Sequence, residues 1–279
     1  MKSDEISEIV CGVCPRHCRI QEGSCGFCGA RKNQLGQNVC ANYPYLTALA
    51  SDPIEKKPLR RFFPGSRILS AGSFGCNLAC PFCQNYTISQ ASRRQILPHC
   101  RRLTERELAD IALEREDDIG IAFTYNEPLI SYEYIIGTAR LVRPQKKVVI
   151  VTNGCVSREV MEAILPYTDA MNIDLKGDGT FYREKLGGNL ETVKDSIRLA
   201  AASCHVEVTT LVIPGVNDTD EWMRREAAWL AGISPELPLH VTRYFPRYRC
   251  NIPATPVQSV YHLAHVAGEY LKYVYPGNV

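Results

Sequence analysis

A chain of 279 residues, 45% of them hydrophobic, has enough apolar mass for one large domain with a small appendage. Its 32 basic and 30 acidic side chains leave a net charge of +2, which argues against a nucleic-acid or membrane-surface binder. No apolar run approaches the roughly 20 residues of a membrane span, and Met1-Lys2-Ser3-Asp4-Glu5 lacks the apolar core of a signal peptide, so the expected location is the cytoplasm.

Thirteen cysteines are many for such a chain. A reducing compartment keeps thiols free, so metal binding is favoured over disulfides, and the odd count fits poorly with full pairing. Six of them fall in residues 1 to about 65, as Cys11-x2-Cys14-x3-Cys18, Cys25-x2-Cys28 and Cys40. A polar, glycine-containing stretch of this kind is expected to draw folding energy from a metal. Zinc on Cys11, Cys14, Cys18 and Cys28 is the preferred reading, with a second iron–sulfur cluster behind it; reduced, reactive thiols are the bland alternative. The following run, Asp52-Pro53-Ile54-Glu55-Lys56-Lys57-Pro58-Leu59-Arg60-Arg61, reads as a solvated linker whose basic residues steer an acidic substrate or partner.

From Arg67 onward, strand-like and helix-like stretches alternate. Strands are expected at Ile68–Ser73, Ile119–Thr124, Val148–Thr152, Ala170–Leu175, Val206–Ile213 and Leu239–Tyr244. Between them, Thr104-x-x-Glu107 is a capping box opening a helix, Ser157 is a candidate cap for the helix carrying Val160 and Ile164, and further helices fall near Ile130–Val142, Thr192–Ala202, Glu221–Leu230 and Val257–Tyr270. Six β/α units in succession predict a parallel sheet with right-handed crossovers. Six are too few to close an eight-fold barrel. An open partial (β/α)6 barrel over residues 66–279 is the expected fold class, behind a cysteine-rich segment at 1–65.

In such folds the active site gathers at the C-terminal ends of the strands, and polar residues stand there. The first strand leads into Cys76-Asn-Leu-Ala-Cys80-Pro-Phe-Cys83. Three soft thiolates suit an iron–sulfur cluster, and with no fourth cysteine in the loop one iron is left open to a small ligand; a zinc knuckle is the alternative. The second strand ends at Glu127, a carboxylate able to bind an ammonium group or to cap a helix. The third ends at Asn153-Gly154. The fourth places Asp174 and Lys176 at i and i+2, on one face. The sixth carries His240, a residue type more often structural than catalytic. The His205-Val206-Glu207 element of a zinc deaminase has no partner P-C-x-x-C, and no dinucleotide or P-loop fingerprint is present.

The Cx3CxxC spacing resembles the signature of the radical S-adenosylmethionine (SAM) enzymes. With the Cys11/Cys14-Pro15/Cys18 opening, Asp52-Pro53-Ile54-Glu55-Lys56-Lys57-Pro58-Leu59, Phe123-Thr124-Tyr125-Asn126-Glu127-Pro128, Asp174-Leu175-Lys176 and Pro214-Gly215-Val216-Asn217-Asp218, the chain looks like the radical SAM enzyme of the AmmeMemoRadiSam system, a relative of glycyl-radical activating enzymes. The resemblance implies a [4Fe-4S] cluster on Cys76, Cys80 and Cys83, SAM on its open iron, and SAM contacts from Glu127, Asn153, Asp174, Lys176 and His240. It also implies anaerobic chemistry with electrons from a reductant such as flavodoxin or ferredoxin. The products are a 5′-deoxyadenosyl radical and hydrogen abstraction from an unidentified substrate. Installing a glycyl radical on a partner protein is the alternative within enzymes, and a zinc-stabilised binding module the alternative outside them.

Overall fold

The computed structural model describes residues 8–279. Its centre is an eight-stranded sheet: β1 (Ala48–Pro53), β2 (Arg67–Gly72), β3 (Asp118–Phe123), β4 (Lys147–Thr152), β5 (Ala170–Asp174), β6 (His205–Val212), β7 (Leu239–Arg243) and β8 (Val274–Gly277). They lie side by side in sequence order. β1 pairs antiparallel with β2, and all later pairs are parallel. Each crossover therefore steps the same way across the sheet, which winds it toward a barrel rather than doubling it back. β1 and β8 do not pair, so the barrel stays open.

Six helices follow strands β2 to β7: α1 (Glu105–Glu114), α2 (Tyr132–Val142), α3 (Arg158–Ile164), α4 (Leu190–Ala201), α5 (Asp220–Ala231) and α6 (Val257–Gly268). The six expected units are thus present, most helix ends falling within about two residues of expectation. Thr104 accepts from the Glu107 amide in the expected capping box, while Ser157 stands at its N-cap position without a cap bond. The sheet has two strands more than expected, β1 and β8.

Strand periodicity sorts the side chains. Leu69, Ile121, Ile150, Met171, Ile173, Val208 and Val241 pack under the helices in the main core. The alternate residues Ile68, Ala122, Val149 and Ala170 face the other way, against Ile54, Leu59 and Phe62. This corrects the solvated linker. Residues 54–62 instead fill the inner face of the barrel, with Ile54 and Leu59 fully buried. Their polar backbone is met from the strands: Asn172 Nδ2 donates to the Pro58 carbonyl, and the Glu207 carboxylate accepts from the amides of Arg60 (2.9 Å) and Arg61 (2.7 Å). Residues 48–62 therefore belong to the barrel rather than to the cysteine-rich segment.

That segment forms two small hairpins, Ile9–Val10 with Arg19–Ile20 and Arg31–Gln34 with Gln37–Cys40. It is docked on the barrel. The Ser157 amide donates to the Val13 carbonyl, and buried Arg31 grips Glu133 of α2 through two 2.8 Å bonds.

Candidate active site

β2 ends in Gly72, and the chain turns through Gly75 (φ +90°) into the cysteine loop. Gly72 is required by its neighbour, since a Cβ there would lie 2.6 Å from the Tyr125 ring. Cys76, Cys80 and Cys83 then line one cavity of about 340 Å³ with Glu127, Asn153, Asp174 and Lys176. The thiols are held by different neighbours: Cys76 Sγ by the Leu78 amide (3.4 Å) and Asn153 Nδ2 (3.6 Å), Cys83 Sγ by Ser89 Oγ (3.1 Å). Among the described residues no three His, Cys, Asp or Glu side chains converge on one metal ion. Three thiols lining one cavity fit a cluster, in which each thiolate takes its own iron.

Burial pushes the Cys80 thiol up to about 11, with Lys176 pulling it back and Cys83 and Asp174 adding to the rise. Cys76 is raised further, by burial and then by Glu127 and Cys80. A metal bound there would have to displace the proton of each.

Glu127 is 1% exposed, and its carboxylate accepts from the Leu129 amide (3.0 Å), Thr152 Oγ1 (2.6 Å) and the Asn153 amide (2.8 Å). Burial nevertheless pushes it up to about 7, because the three hydrogen bonds offset only part of the desolvation. It ties the end of β3 to the end of β4, and among the described residues it forms no ion pair. Asp174 and Lys176 pair at 2.7 Å. Burial tends to lower the lysine, but Asp174 and the Cys80 thiol outweigh it and hold the ammonium charged. Asn153 is turned into the loop, donating to Asn77 Oδ1 (2.9 Å) and accepting from the Cys155 amide.

The cavity is also lined by Lys57 and Tyr125, which the sequence offered within motifs but not as site residues. Lys57, 2% exposed, pairs with Asp52 at 2.9 Å and lies 4.6 Å from the Tyr125 ring centroid. Tyr125 itself takes φ +75° and donates its hydroxyl to Asp52 at 2.7 Å. Burial raises Asp52, but Tyr125 and Lys57 overcome it and depress the carboxyl strongly; the Tyr125 phenol goes up to about 12, through burial and then Asp52.

A model of the radical SAM superfamily matches residues 72–227, the cysteine loop through α5. The chain belongs to the radical SAM superfamily. It is an enzyme of the radical SAM class, a class that implies a [4Fe-4S] cluster and SAM. It is 39% identical, over 98% of its length and 82% of the relative's, to an uncharacterized protein of Methanocaldococcus jannaschii. Its fold is similar to a radical SAM methyltransferase of Sphaerobacter thermophilus (TM-score 0.56, 16% identity, 77% of this chain and 67% of that one). It is also similar to a domain of a pyruvate-formate lyase-activating enzyme of Bacteroides vulgatus (TM-score 0.50, 21% identity, 57% and 99%).

Not every residue expected at the radical SAM site is in the cavity. His240 is turned inward at 4% exposure and bonds Glu207 at 2.6 Å, two residues below Thr242, which does line the cavity. Cys11, Cys14, Cys18 and Cys28 lie behind the cysteine loop as mutual neighbours. Burial pushes Cys14 up to about 11, a nearby amide lowers it, and the Cys28, Cys11 and Cys18 thiols add to the rise. Cys25 is exposed, and Cys40 is bonded to Asn42 instead.

Proposed function

We propose that this enzyme cleaves SAM reductively at a [4Fe-4S] cluster held by Cys76, Cys80 and Cys83, and that its substrate then loses a hydrogen atom. The observation that carries this reading is the meeting of three thiols with Glu127, Asp174 and Lys176 in one cavity at the strand ends. Bound there, the cluster and SAM supply an electron and a 5′-deoxyadenosyl radical. The protein's own residues orient and exclude water. Glu127 supplies the carboxylate for the SAM ammonium, a fit supported by its buried, cation-poor setting. Lys176, with Asp174 beside it, supplies a fixed positive charge at the cavity wall, suited to a carboxylate. Asn153 orients Cys76. His240 serves the packing of residues 54–62 through Glu207 rather than SAM. The motifs resemble those of the AmmeMemoRadiSam type, the electron comes from a flavodoxin- or ferredoxin-like donor, and Cys11, Cys14, Cys18 and Cys28 hold a second metal, zinc before iron–sulfur.

Anaerobic reconstitution with iron and sulfide, then dithionite and SAM, should yield 5′-deoxyadenosine from the natural chain. The Cys76/Cys80/Cys83 triple alanine variant should yield none while keeping the metal of the N-terminal thiols. Equal product from the variant would sink the assignment.

A further inference from the structure

The N-terminal thiol turn touches the catalytic loop at the residues on either side of Cys76. On one side, a Cβ at Gly75 would lie 2.3 Å from the Cys28 carbonyl oxygen, so Cys28 backs directly onto a glycine. On the other, Arg16, between Cys14 and Cys18, donates Nε to the Asn77 carbonyl oxygen at 2.6 Å and Nη2 to that of Leu186 at 3.1 Å. The guanidinium lies over Phe27, its Cζ 3.6 Å from the ring centroid. It passes so close to Gly187 (φ +64°) that a Cβ there would come within 2.1 Å of Nη2. Its position is built, not incidental.

The Asn77 carbonyl belongs to the same peptide unit as the Leu78 amide, and that amide donates to Cys76 Sγ at 3.4 Å. A charged donor on the oxygen of a peptide polarises it and strengthens the N–H at its other end. Hydrogen bonds to cluster sulfurs raise the reduction potential by favouring the more negative, reduced form. We propose that Arg16 is a positioning residue that fixes the Asn77–Leu78 peptide and, through it, the Cys76 sulfur, so that the N-terminal thiol turn tunes the catalytic cluster. This rests on Cys76 being a cluster ligand.

The test uses the full chain with Arg16→Gln, Arg16→Lys and, as a control, Arg19→Gln, whose side chain, among the described residues, bonds Glu8 just before the same hairpin. In the chain before reconstitution, Arg16→Gln should speed amide exchange at Leu78 about tenfold. After reconstitution it should lower the potential read by EPR-monitored titration, so that about tenfold less of the cluster is reduced at a fixed dithionite poise, with Arg16→Lys between it and the natural chain. Unchanged Leu78 exchange, an unchanged potential, or the same shift from Arg19→Gln would overturn the proposal. If even the natural chain assembles no cluster, the proposed function falls instead, and Leu78 exchange alone still decides whether Arg16 fixes the peptide.

Discussion

The two ends of the barrel handle a buried carboxylate in opposite ways. At the plugged end, Glu207 is fully buried but meets four donors: the Arg60 and Arg61 amides, His205 at 2.9 Å and His240 at 2.6 Å. Burial raises it, yet the two histidines and two amides prevail and bring it down to about 2. At the open end Glu127 has three donors, none of them charged, and rests near 7. A carboxylate that serves the fold has its oxygens filled by four donors of its own chain, whereas the one at the cavity has three and stays raised.

Glu207 gives the largest effect. Its folded value is below the usual carboxylate range, so its stabilisation is complete above about pH 4.5 and is lost as pH falls toward 2. That swing is about 3 kcal/mol. Glu207→Gln, which leaves two amides and two histidines partly unmet, should cost about 3–5 kcal/mol in urea unfolding at pH 7. It should also flatten the acid limb of the stability curve. An undiminished acid limb would show that the plug is not held by this charge.

Glu226, on α5, carries the contrast to its extreme. It has one partner, the Thr210 hydroxyl, and its second oxygen has none. Burial pushes it up to about 8. A folded value above the unfolded one means the folded chain holds the extra proton, so stability falls as pH rises from about 4.5 to 8. Glu226→Gln should remove that decline, leaving the variant more stable than the natural chain by about 4 kcal/mol at pH 8. Parallel thermal melts at pH 6 and pH 8 would check the sign.

The same contrast explains what was legible in the sequence. The six β/α units declared themselves because buried parallel strands read as apolar runs and Thr104-x-x-Glu107 marks a helix start. β1 and β8 did not. Both are edge strands that contain a proline, Pro53 and Pro276, and edges tolerate the polar, broken patterns of loops. The Cys76-x3-Cys80-x2-Cys83 spacing marked out three thiols that do line one cavity at the end of β2. Lys57 was not, because a buried lysine differs from a solvated one only in the partner it finds, here Asp52. His240 shows a third limit. Alternation assigns it correctly to the inner face, but depth along the strand decides between cavity and plug, and Asp174 is the last residue of its strand while His240 is the second of its own.

The most informative test concerns Glu127, because it separates a carboxylate awaiting a cation from one that is merely costly. Without ligand, its raised value means stability falls as pH climbs from about 4.5 to 7, so Glu127→Gln should be stabilising by about 3 kcal/mol at pH 8. SAM binding should show the reverse preference. An ammonium pairs with the ionised carboxylate, so the affinity of the natural chain should climb about tenfold per pH unit below 7 and level off above it. Glu127→Gln should bind SAM about 10- to 100-fold more weakly at pH 7.5, with no such climb between pH 5.5 and 7.5. Equilibrium dialysis of the reconstituted protein reads both. If the variant keeps the rising affinity, Glu127 belongs with Glu207 as a structural charge, and the ends of the barrel differ only in how well each carboxylate is paired.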